Sequence, residues 1–134
     1  MSSKSILYTT LVLAIVGMTA HFMAESFYFY WTLWWWDVLV HFLVGTTGGF
    51  GLYWGLFRSG IIFRQEFQNT AATVMTVFVC VMAWGVGWEV FEYVNSFTDS
   101  HEGYRIDTIN DLILDGSGAV LACLFTTRKK KVNV

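Results

Sequence analysis

Apolar residues in this chain gather into long runs broken by short polar or aromatic stretches, the pattern of helices that cross a bilayer rather than of strands. The first run, from Ile6 to about Ala24 (ILYTTLVLAIVGMTAHFMA), has roughly 19 residues, the span of a bilayer core. Lys4 could begin a cleavable leader, but His21, Phe22 and Met23 stand where a cleavage site wants small residues, so this run is expected to persist as a helix. Further helices are predicted from about Asp37 to Phe57, Thr70 to Val94 and Asp107 to Thr127. Between the first two lies ESFYFYWTLWWW (25–36), whose amphipathic rings suit the headgroup region. RSGIIFRQEFQN (58–69) reads as a polar or half-buried link, and 95–106 as a polar loop. The chain has no proline, which predicts nearly straight helices.

Composition agrees with the pattern. Of 134 residues, 55% are hydrophobic and 13% charged, and mean hydropathy is +0.51, which excludes an ordinary water-soluble domain. The length accommodates one transmembrane domain, residues 1–134, an all-α bundle of four transmembrane helices. Its basic residues sort by side. Lys4, Arg58, Arg64 and the run Arg128 to Lys131 fall together if there are four spans, with Arg105 opposite, which predicts a multi-pass inner-membrane protein with cytoplasmic N- and C-termini. Most acids fall on the other side, Glu66 excepted.

Other motifs narrow the function. Cys80 and Cys123 lie inside apolar runs, which excludes a CxxC redox or metal motif and favours simple packing. Gly45, Gly49, Gly51 and Gly55 form small-xxx-small pairs, and with Gly116 and Gly118 they permit close helix contact. GTTGGFG lacks the strand and lysine of a phosphate loop. There is no basic patch for nucleic acid beyond the C-terminal tail, which suits anionic headgroups. Expected partners are the lipid bilayer, a lipid or lipid-linked ligand, and further copies of the chain in a homo-oligomer.

Candidate chemistry sits at the helix ends that face away from the basic side. His21 and Glu25 are four apart, as are Asp37 and His41; Glu89 and Glu92 are three apart; Asp107, Asp111 and Asp115 recur every fourth residue. Each set shares a helix face. Asp37 or Asp107 alone could be a helix cap, worth about 1 kcal/mol. Capping does not account for His41, Asp111 or Asp115. A charged group deep in hydrocarbon costs about 2.5 to 3.5 kcal/mol, so these residues should face inward and find partners. Glu25, Asp37, Glu89, Glu92, Asp107, Asp111 and Asp115 meet two imidazoles and only Arg105 as a nearby base. Either some carboxyls are protonated or a cation is bound. Carboxylates with histidine suit a divalent metal such as Zn, Mn or Fe. Asp99, His101 and Glu102 read as a solvated loop.

His21-Phe-Met-Ala-Glu25, Trp36-Asp37-Val-Leu-Val-His41-Phe-Leu-Val-Gly45, Trp88-Glu89-Val-Phe-Glu92-Tyr93 and Asp107-Thr108-Ile-Asn-Asp111 occur in that order, followed by Gly118-Ala119. Together they resemble the YjdF-type bacterial inner-membrane proteins and, more distantly, the VanZ-like proteins. The resemblance implies a polytopic inner-membrane protein in which His21, Glu25, Asp37, His41, Glu89, Glu92, Asp107 and Asp111 are the family positions. Asp115 is outside that pattern.

The expected function is therefore a membrane protein that binds a divalent metal through a subset of these eight residues, at the extracytoplasmic end of the bundle. Three alternatives stand beside it: a proton- or ion-coupled transporter or channel subunit, a metal-dependent hydrolase acting on a lipid or lipid-linked substrate, and a structural subunit. A relay would need polar groups down to the other face, where Thr10, Thr46, Thr47, Thr76 and Ser117 are the only candidates.

Overall fold

A computed structural model describes residues 1–95 and 104–128. The loop residues Asp99, His101 and Glu102 and the basic residues Lys129 to Lys131 lie outside it. The described residues are helical, with no strand among them: α1 (Ser3–Phe27), α2 (Phe29–Thr32), α3 (Trp34–Tyr53) continued by a π-helical turn (Trp54–Arg58), α4 (Thr70–Asn95) and α5 (Tyr104–Thr127). The four predicted helices are all present, within a few residues of their expected ends. Because α3 begins at Trp34 and α5 at Tyr104, Asp37 and Asp107 lie inside the first turns. They therefore complement the positive end of the helix dipole instead of capping.

Helices α1, α4 and α5 are long and apolar enough to cross a membrane. Their apolar windows are only 11%, 22% and 39% buried, so most of that surface needs an apolar solvent. α3 is long enough but less hydropathic, because Asp37, His41 and a run of glycine and threonine dilute it. It is nonetheless the central element, in contact with α1, α4 and above all α5.

The α3–α5 contact is made backbone to backbone. A Cβ on Gly45 would run into the main chain of Asp115, and one on Gly118 would lie 2.6 Å from the Phe42 carbonyl oxygen and the Thr46 nitrogen. Between hydrocarbon-soluble helices there is little hydrophobic drive, so close van der Waals contact across small residues takes its place. Further along the same seam, Phe50, Ala119, Ala122 and Cys123 join Ile6, Tyr53, Phe57, Val77 and Val81 in one apolar core.

The end of the bundle away from the His/Asp residues is closed by polar contacts. The Tyr53 hydroxyl donates to Glu66 Oε1 at 2.6 Å, and Arg58 Nη2 donates to the same oxygen at 2.6 Å. Glu66, the acid expected on the basic side, is thereby neutralised. A π turn ends α3, and from it Arg58 reaches this pair. Phe57, Phe63 and Phe67 cluster beside it with ring centroids 5.1 to 5.4 Å apart, Phe57 and Phe63 stacked and Phe67 edge-on to both.

Gly45→Ala should separate α3 from α5 and cost about 1–3 kcal/mol or more. Gly87→Ala, with nothing within 4 Å of the new methyl, should leave stability nearly unchanged. Thermal unfolding midpoints in detergent micelles measure both.

Candidate functional site

The α3–α5 seam sets one turn of each helix face to face, and the polar residues of those turns converge. His41 Nε2 lies 3.6 Å from Asp37 Oδ1 and 3.6 Å from Asp111 Oδ1, while its Nδ1 lies 3.6 Å from Asp115 Oδ1. The side chains of His41, Asp111 and Asp115 are 13%, 6% and 8% exposed; Asp37, nearer the helix end, is 31% exposed. These separations exceed hydrogen-bond length. They are close to the roughly 3.4 Å between neighbouring ligands of a tetrahedral metal with bonds near 2.1 Å. One ligand atom each from Asp37, His41 and Asp111 lies within 4.8 Å of the others.

Glu89 of α4 is buried and accepts a 2.7 Å hydrogen bond from the Thr108 hydroxyl, which ties α4 to α5 beside the trio. Glu92, half-buried one turn further out, lies within electrostatic reach of Glu89, His41 and Asp37. Asp107 is in the outermost turn of α5. Glu25 is exposed near the end of α1.

His21 meets a tyrosine. Its Nδ1 is 2.8 Å from the Tyr30 hydroxyl, which hangs from α2. α1 ends where Tyr28 adopts a left-handed conformation (φ 57°), and the chain turns back into the short α2. The Trp36 indole then donates to the Ala20 carbonyl at 3.1 Å, fixing the start of α3 against α1. Tyr30 is partly buried and within electrostatic reach of Asp37 and Asp111. Burial, then the charges of Asp37, Glu25, Glu92 and Asp111, raises its phenol pKa well above the ordinary value, so it stays protonated at neutral pH.

Of the eight sequence candidates, Asp37, His41 and Asp111 meet as a trio; Glu89 and Glu92 flank it; His21, Glu25 and Asp107 are not among the three converging atoms. Two residues outside that set belong to the site. Asp115 was marked only by its spacing, four residues after Asp111 on the same face. Tyr30 had no signal, being one ring in a run of rings.

An all-α membrane protein with a histidine and aspartates buried between two of its helices is the class these observations define. A family model described as "Predicted membrane protein (DUF2238)" matches residues 3–131, and the chain belongs to that family. Neither the curated proteins nor the solved structures contain a match.

Thr108→Val should remove a charge-assisted bond to Glu89 and destabilise the fold by about 1.5–3 kcal/mol, whereas Thr108→Ser should retain most of it. Tyr30→Phe should cost about 1 kcal/mol through loss of the His21 contact. Denaturation in detergent, followed by tryptophan fluorescence, reads out all three.

Proposed function

We propose that this protein binds a divalent transition metal, of the class of Zn, Mn or Fe, through His41 Nε2 and the carboxylates of Asp37 and Asp111, inside a bundle of four membrane spans. The convergence of those three atoms from two helices carries the reading. Electrostatics supports it. Asp37, Asp111 and Asp115 place three carboxyls beside one imidazole, and with all of them ionised even a protonated ring would leave a net charge of −2 in a low-dielectric setting. A divalent cation offsets that excess. His and carboxylate donors favour a borderline metal over Mg or Ca, which take oxygen donors. When bound, such a metal supplies a Lewis acid beside the buried carboxylate of Glu89.

α3 serves as the fourth span in this proposal. Its 20 residues extend about 30 Å, the thickness of a hydrocarbon core, and the apolar helices beside it cover the glycines and polar groups that lower its hydropathy. The distribution of Lys4, Arg58, Arg64 and Arg128 supports cytoplasmic termini and an inner-membrane location. The four ordered motifs support kinship with the YjdF-type and VanZ-like proteins. Beneath the cluster, Phe50, Val81, Ala119, Ala122 and Cys123 form an apolar floor, which weighs against a transport pathway through one protomer.

Metal analysis of protein purified in detergent without chelator should give close to one Zn, Mn or Fe per chain, and His41→Ala should abolish it. Metal-free wild-type protein that also fails to take up added Zn²⁺ would overturn the assignment. For topology, a periplasm-active reporter should work when fused after Thr32 or Asn95 and fail after Gly60; the reverse pattern refutes the orientation.

A further inference from the structure

Asp115 lies midway along α5, one turn beyond Asp111, where the sequence pattern predicts an inward-facing group that needs a partner. Its Oδ1 is buried and has no hydrogen-bond partner, and the same is true of the ring nitrogen it faces, His41 Nδ1, 3.6 Å away. A histidine that coordinates a metal through Nε2 carries its proton on Nδ1. A buried N–H needs an acceptor. The carboxylate facing Nδ1 is that of Asp115, and closing from 3.6 Å to hydrogen-bond length takes a movement of about 0.7 Å.

The other oxygen explains why the carboxylate faces His41 at all. A Cβ on Gly85 of α4 would lie 3.0 Å from Asp115 Oδ2 and 3.0 Å from Leu112 Cδ2, so α4 presses its bare backbone against the back of this side chain. Asp115 is held between α4 and the imidazole. On the other side its own main chain sits against Gly45.

We propose that Asp115 is a positioning residue for the metal. Its carboxylate accepts the His41 Nδ1 proton, fixes the tautomer that leaves Nε2 as ligand, and orients the ring toward Asp37 and Asp111, with Gly85 as its backstop. This rests on the metal reading above. Outer partners of this kind raise ligand basicity, and their loss weakens metal affinity by roughly ten- to a hundredfold.

The test uses the full chain in detergent, with Zn²⁺ competition against a chromophoric chelator for affinity. In parallel, Cu²⁺ loading allows pulsed electron paramagnetic resonance, in which the quadrupole coupling of the non-coordinated imidazole nitrogen reports its hydrogen bond. Asp115→Asn should bind Zn²⁺ about ten- to a hundredfold more weakly and shift that coupling. Gly85→Ala, which touches no ligand atom, should shift the same coupling by displacing the carboxylate; it carries the test if Asp115→Asn does not fold. Wild-type affinity and coupling in the folded variants would overturn the positioning role and leave the metal site standing. Wild-type protein that binds neither ion would overturn the metal reading and this role with it.

Discussion

Everything in the outer half of this bundle depends on how closely α3 and α5 approach. Gly45 and Gly118 remove the side chains that would hold the helices apart, and the main chain of Asp115 comes to rest on α3. Helix periodicity does the rest. Once Asp115 is seated against Gly45, Asp111 faces His41 one turn further out, and Asp37 lies one turn before His41 on the same face. A metal-type constellation thus follows from a packing contact whose energetic origin is ordinary dispersion between small residues.

Lipid as solvent shapes the remainder. Large apolar side chains such as Ile15, Phe22, Trp84, Ile113 and Phe125 point outward, whereas Glu89, Asp111 and Asp115 are buried. Hydroxyls within the spans are mostly turned back on their own helices: Thr10, Thr46, Thr47 and Thr76 each donate to the carbonyl four residues earlier. Those groups are satisfied locally, each by its own helix. Polarity that is not satisfied locally collects around one imidazole.

Helix positions were readable because hydrocarbon imposes a long, crude signal, and all four predicted helices are present within a few residues of their expected ends. The inward placement of His41, Asp111 and Glu89 was readable for the same reason, since lipid penalises the alternative. Partner choice was not. His21 shares a face with Glu25 in sequence, yet a left-handed residue at Tyr28 folds the aromatic connector back and delivers Tyr30 to it. Such a turn leaves no periodic trace. α3 shows a different limit: its apolar run marked it as a helix, but its close seating on α5 through Gly45 and Gly118 is a three-dimensional contact that small-residue spacing only permits.

The connector from Phe27 to Trp36 has a mechanical consequence. Its rings pack against one another at tilted angles, Phe29 against Trp36 at 4.7 Å and Trp35 against Trp36 at 5.4 Å, and several remain open to the surroundings, Trp34 at 81%. Rings of this kind float at the headgroup boundary and act as a waterline. Asp37, beside those rings, is 31% exposed and Asp115 only 8%, so the polarity of the surroundings falls from one to the other across the seam of α3 and α5. Where aromatic rings set the level at which a bundle floats, bilayer thickness decides how far water reaches down from that end, and Asp37 is the residue of the cluster that such a change meets first.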